Sequence, residues 1–166
     1  MQTFLPFASF QLSAQVLDRK RLGKQRVEVK QLLIAMGYQV GDTPGNRDSS
    51  WRNHPACKMW AQWPGALAVY GLNCTVEWRR RGYKDSLQES FLALSKSLPK
   101  TTPDWLGWEA FHISHKSNLL RKDPAWYGPL FPGVPDDLPY IWPTPELYAK
   151  IQMGYTTGMA QINTQH

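Results

Sequence analysis

Leu22, Arg26, Val29, Leu33 and Met36 recur at spacings of three and four, which gives one mostly apolar helix face. Ser9 or Asp18 can cap that helix and Gly37 can stop it. The stretch GDTPGNRDSS, residues 41 to 50, breaks the periodicity and reads as an exposed loop. Pro55 then suits the first turn of a short helix over Ala56 to Ala61, and Pro64 the start of a longer one that runs to Arg81 and ends at Gly82. Leu67, Tyr70, Cys74 and Trp78 form the inward side of the longer helix. Ser86 and Glu89 have the spacing of a capping box for a helix ending near Leu98. A further helix is predicted over Trp108 to Lys122, followed by Asp123 and Pro124 as cap and first turn of a short AWYG segment. No strand alternation and no internal repeat interrupts this series, so the predicted fold class is all-α.

Proline changes the picture late in the chain. Nine of the 13 prolines lie at or beyond Pro99, and GPLFPGVPDDLPYIWPTPE reads as an extended, stiffened strap. Its Phe131, Tyr140, Ile141 and Trp142 call for packing. With 166 residues and 42% hydrophobic content, the chain has material for one core. The expected organisation is a single domain over 1–166, a helical body 1–128 with a proline-rich extension 129–166, and a monomer. No apolar run reaches the length of a membrane span, and MQTFLPFASFQ lacks the layout of a secretory signal, so a cytoplasmic protein without membrane partners is expected. Cys57 and Cys74 alone make neither a disulfide framework nor a zinc site.

The net charge of +6 would attract an anionic polymer, and its distribution sharpens that reading. Residues 1–34 carry Arg19, Lys20, Arg21, Lys24, Arg26 and Lys30 against Asp18 and Glu28. Further basic clusters lie at Arg79, Arg80, Arg81 and Lys84, and at Lys116, Arg121 and Lys122. Each is either part of a surface that follows a nucleic-acid backbone or the solvated end of a helix. Glu28 stands out because, once Asp18 is assigned to a cap, it is the one acid among these bases. Arg21, Lys24 and Gln25 precede it by seven, four and three positions and share its helix face. Composition alone favours an ordinary Glu28–Lys24 surface pair, worth about 0.3 to 0.5 kcal/mol.

The segment LDRKRLGKQRVE, Leu17 to Glu28, followed by WRNHP, Trp51 to Pro55, is similar to the pyrimidine dimer DNA glycosylase family of endonuclease V type. Members of that family carry an LDxKxL…E helix and then a YRNHP-like motif, and the spacing from Leu17 to Glu28 matches without a gap. A weaker similarity extends through SHKSNLLRKDPAWYG, Ser114 to Gly128, while the proline-rich tail lies outside it.

The resemblance implies a compact all-α enzyme that binds damaged double-stranded DNA, cuts the glycosidic bond of a pyrimidine lesion and nicks the backbone by β-elimination, with no metal or organic cofactor. In the family the nucleophile is an α-amino group that forms a Schiff base at the sugar C1′, assisted by a helical glutamate whose place Glu28 occupies. An α-amine suits this task because its ordinary pKa of about 7.7 to 8.0 leaves a useful unprotonated fraction at neutral pH. Here residue 2 is Gln2, too bulky for removal of the initiator, so the Met1 amine is the expected nucleophile and Lys20 or Lys24 the alternative. Gln2, Arg21, Lys24, Gln25, Arg26 and Arg52 are assigned to DNA, as are His115, Lys116, Arg121 and Lys122. His54 either faces the DNA with them or caps a helix. His112 and His115 share a helix side, and a metal is disfavoured for want of a third ligand. Trp51, Trp126 and Tyr127 are placed to stack on an extruded base, and Trp60, Trp63 and Trp78 in the core. An enzyme for a modified base, or a DNA-binding module without catalysis, remains an alternative at this level.

Overall fold

The computed structural model describes residues 1–144 and Leu147, so the rest of the proline-rich extension lies outside the described residues. Among those residues it is all-α, with seven helices and no strand. The described residues divide into two compact units: the first holds Met1–Phe4 and Ser9–Asp104, and the second holds Leu5–Ala8 and the described residues from Trp105 onward.

In the first unit, Ser9 and Asp18 both act as caps, each for its own helix. Ser9 Oγ accepts from the Leu12 N–H at the start of α1 (Phe10–Val16), and Asp18 Oδ2 accepts from the Arg21 N–H at the start of α2 (Arg19–Ala35). Gly37, with φ of 101°, takes the left-handed conformation just past α2. A 3₁₀ turn (Ser50–Asn53) leads into α3 (Pro55–Trp60), and α4 (Pro64–Arg80) follows, each of the two α-helices with proline at its start. The central member is α4, which packs on α1, on α2 and on α5 (Gln88–Ser97). Close approach depends on Gly71, where a Cβ would stand 2.6 Å from Val29 Cγ1 of α2 and 3.0 Å from the Phe91 ring of α5. Leu22, Val29, Leu32, Leu33, Met59, Trp60, Leu67, Tyr70 and Phe91 fill the core, and both cysteines are buried in it. Burial pushes the Cys74 thiol up to about 12, so it is inert as a nucleophile at neutral pH.

The expected capping box of α5 does not form. The helix starts at Gln88, and Asp85 supplies the cap: its Oδ2 accepts from the N–H groups of Leu87 at 3.0 Å and Gln88 at 2.7 Å. Asp85 Oδ1 meanwhile takes the Arg26 guanidinium, with Nε at 2.7 Å, and that guanidinium also lies 4.9 Å from the Trp78 ring centroid. The Asp85 side chain is 0% exposed and that of Arg26 12%, so Arg26 ties α2 to α5 and is not presented to DNA. Asp85→Ala therefore removes a helix cap and strands a buried cation together. We expect it to lower the unfolding free energy by about 3 kcal/mol in urea titration, and a loss below about 1 kcal/mol would contradict this account.

The second unit is built on α6 (Glu109–Lys122), with α7 (Pro124–Tyr127) capped by Asp123. Trp105, Phe111, Leu119, Tyr127 and Phe131 form its interior. The proline-rich segment runs along one face of α6, held at positions three and four apart. Ser114 Oγ accepts from the Ile141 N–H, Ser117 Oγ accepts from the Leu138 N–H, and Arg121 donates to the carbonyls of Asp136 and Leu138. An extended segment rich in proline makes no helix or sheet ladder of its own, so side chains of α6 satisfy its backbone.

Candidate active site

Residues 2 to 4 are stitched into the first unit by side chains from three of its helices. The Gln2 N–H donates to Glu28 Oε2 at 3.1 Å, and the Gln2 carbonyl accepts from Gln25 Nε2 at 3.0 Å, both partners on α2. Thr3 Oγ1 accepts from Trp60 Nε1 of α3 at 2.9 Å. The Phe4 N–H donates to Gln25 Oε1 at 2.8 Å, and the Phe4 carbonyl accepts from the Tyr70 hydroxyl of α4 at 2.7 Å. Thr3 and Phe4 are buried, whereas Met1 and Gln2 are half-buried.

Glu28 lies on the buried side of α2, where Gln25 one turn earlier and Leu32 one turn later are also inside. A carboxylate in that row is costly unless it is satisfied. Oε2 receives the Gln2 N–H and Gln25 Nε2, the latter at 3.3 Å, while Oε1 stands 3.7 Å from Lys24 Nζ. Burial pushes the Glu28 carboxyl above its ordinary 4.5, against the opposing pull of the Gln2 N–H, the positive α-amino group of Met1, Lys24 and Gln25. His54 is held below its ordinary 6.5 by burial and then by the same α-amino charge. Met1, Glu28, Lys24 and His54 thus share one electrostatic neighbourhood. Such a site joins an amine to a desolvated carboxylate, a pair suited to proton transfer and to stabilising positive charge.

The DNA-contact residues expected from the sequence fall into several groups. Lys24 and Arg52 are exposed on the first unit, and so is Trp51, whose ring meets His54 edge-on at 5.6 Å. Arg21 is largely covered and paired with Asp18 at 3.1 Å. His54 acts as the cap of α3, with Nδ1 accepting from the Ala56 N–H at 3.0 Å. Lys20 is exposed one turn before Lys24. Gln25 is only 1% exposed and makes its bonds inside the protein, so it is not a DNA contact.

In the second unit His115 is wholly buried, and its Nδ1 accepts from the Leu5 N–H at 2.9 Å, which leaves it no face for a phosphate. Burial drives its pKa well down, so the ring is neutral. Both nitrogens of His112 are engaged, Nδ1 with the Leu5 carbonyl and Nε2 with the Gly107 N–H. No group of three or more His, Cys, Asp or Glu among the described residues could hold a metal ion. Lys116 lies in a pocket of about 400 Å³, with its ammonium 4.6 Å from the Phe7 ring centroid. Arg121 holds the strap, Lys122 is exposed, and Trp126 is 46% exposed. Tyr127 is fully buried and stacked on Phe131, so it cannot receive an extruded base.

Thr3, Trp60 and Tyr70 were not visible as site residues in the sequence. Their partners lie 57 and 66 residues away, and the one local hint is a hydroxyl or indole N–H on an apolar face that needs an acceptor. No helix among the described residues is long and apolar enough to cross a membrane. The family model described as pyrimidine dimer DNA glycosylase matches residues 1–89, a span that contains every residue of the Glu28 site and stops short of Ser114–Gly128. No curated protein and no solved structure gives a match.

Proposed function

Because the chain belongs to the pyrimidine dimer DNA glycosylase family, we propose that it excises a damaged pyrimidine, such as a cyclobutane dimer, from duplex DNA and then cleaves the abasic strand through an imine at its own amino terminus. The observation that carries this reading is the 3.1 Å hydrogen bond from the Gln2 N–H to Glu28 Oε2. Only one Cα and one carbonyl carbon separate the Met1 α-nitrogen from that N–H, so the bond brings the amine to within a few ångströms of a buried carboxylate.

The neutral amine attacks C1′ of the lesion sugar, and the N-glycosidic electron pair leaves with the base, which takes up a proton. Glu28 stabilises the positive charge developing at the sugar, then moves the protons required for ring opening. The nitrogen lone pair displaces the ring oxygen, which leaves protonated as the 4′-hydroxyl, and an iminium forms. Loss of a 2′ proton from this electron-poor carbon chain expels the 3′ phosphate, and water releases the amine. Lesion preference arises partly in the DNA, since extruding a damaged nucleotide costs less than extruding a paired one. The exposed bases Lys24 and Arg52 are suited to the phosphates beside the lesion. A lysine nucleophile is the second reading, and the 3.7 Å separation of Lys24 Nζ from Glu28 Oε1 favours Lys24 over Lys20.

Borohydride trapping on an abasic duplex distinguishes the two. Residues 1–19 contain no lysine, and Arg19 is the first tryptic site, so an adduct within the peptide Met1–Arg19 is an adduct of the α-amine. We expect the adduct there. One located on Lys24 would transfer the role, and tight binding without any adduct would leave a DNA-binding module.

A further inference from the structure

We propose that Gln25, backed by Tyr70, is the positioning residue that sets the register of the amino-terminal segment and so holds the α-amine at its point of attack. This inference rests on the amine reading above and adds to it the group that fixes the nucleophile.

A primary amide offers two acceptor and two donor sites, and in Gln25 all four are used. Oε1 accepts from the Phe4 N–H at 2.8 Å and from the Tyr70 hydroxyl at 2.7 Å, while Nε2 donates to the Gln2 carbonyl at 3.0 Å and to Glu28 Oε2 at 3.3 Å. The amide cannot be turned over, because its donors would then face the Phe4 N–H. The Tyr70 hydroxyl has a single proton, and its oxygen stands 2.7 Å from both Gln25 Oε1 and the Phe4 carbonyl, so that proton is shared between the two acceptors and holds the amide from behind. Gln25 is 1% exposed and Tyr70 0%, so the arrangement is a fixed feature of the interior.

The geometry measures out the segment. One side chain grips residue 2 by its carbonyl and residue 4 by its N–H, and it touches the carboxylate that receives the residue 2 N–H. A slip of the segment by one residue would break these bonds together and move the amine by up to about 3.8 Å. An amine on an untethered chain end would instead sample many positions, most of them unreactive. No other residue type supplies the pattern at this length, since glutamate cannot donate and would place a second negative charge beside Glu28.

The test separates chemistry from binding. Single-turnover borohydride trapping on an abasic duplex, at saturating protein, reads the rate of imine formation, and a parallel titration without borohydride reads the Kd for the same duplex. Gln25→Met keeps length and volume while removing every polar contact. We expect adduct formation to slow by about 100-fold with an unchanged Kd, since an error of about 1 Å in a reacting group has an effect of that size. Tyr70→Phe leaves Gln25 in place but unlocked, and is expected to slow trapping by about fivefold. A purely structural role would instead lower the unfolding temperature and weaken binding without slowing bound complexes. Wild-type trapping rates in folded Gln25→Met overturn the proposal, as do wild-type rates in Tyr70→Phe if Gln25→Met does not fold. If the wild-type protein gives no adduct within Met1–Arg19, the amine reading fails and this inference with it.

Discussion

Glu28→Gln is expected to slow imine formation by about a thousandfold while leaving affinity for duplex DNA unchanged. The substitution is nearly isosteric, and the amide oxygen can still accept the Gln2 N–H that anchors the segment. What disappears is the negative charge, and with it the capacity to take a proton or to face a developing cation. The same change should leave the protein at least as stable. Burial has raised the Glu28 carboxyl above 4.5, so the folded chain holds that proton more tightly than the unfolded chain. Stability is then greatest below the unfolded value and falls as pH rises through the folded one, so above that titration the folded protein carries the full cost of the ionised group. Glutamine removes that cost. Activity in the wild type should decline as pH drops through the raised Glu28 titration, and the variant should lack that limb. Trapping rates, DNA affinity and melting curves against pH check each point, and undiminished trapping in Glu28→Gln would take Glu28 out of the mechanism. A residue whose loss removes activity and does not lower stability is retained for chemistry.

The helices were legible because their boundaries are written locally. Ser9, Asp18, Pro55, Pro64 and Asp123 all stand at helix starts, and Gly37 and Gly82 fall just past helix ends with positive φ. Glu28 was also legible, since its position in LDRKRLGKQRVE carries the family's spacing. What the sequence hid was the difference between a polar residue that faces solvent and one that faces a distant backbone. Gln25 and Arg26 are adjacent on α2 and both look like groove residues, yet Gln25 reaches Phe4 and Tyr70 while Arg26 reaches Asp85, 59 positions later. The misplaced cap of α5 has the same origin. Ser86 and Glu89 satisfy a local rule, but Asp85 can cap the helix and neutralise Arg26 at once, and the tertiary partner decides. Beside Lys116 and Arg121 in the sequence His115 looks like a phosphate ligand, whereas its ring accepts the Leu5 N–H from 110 residues away.

Placing extra residues ahead of Met1 should have the largest effect of all. With the α-amine converted to an amide, its nitrogen has no lone pair available for attack, and each added residue carries the new amine up to about 3.8 Å farther from the site. The advantage lost is that of a held nucleophile, which in oriented intramolecular reactions is worth about 10⁵ M or more in effective concentration. Trapping on an abasic duplex should therefore fall by at least about 10⁴-fold. The Gln2 N–H remains an amide donor in the extended chain, and Lys24 and Arg52 are unchanged, so DNA binding should persist with its ordinary salt dependence. Proteolytic removal of the extension back to Met1 should restore the wild-type rate, which rules out a folding defect as the cause. If the extended protein instead traps at an undiminished rate, with the adduct on Lys24, then the amino terminus only fills space against α2 and the lysine 3.7 Å from Glu28 is the nucleophile. The anchoring of residues 2 to 4 by Glu28, Gln25, Trp60 and Tyr70 argues for the first result, because a segment that only fills space would not require its backbone to be held group by group within reach of a buried carboxylate.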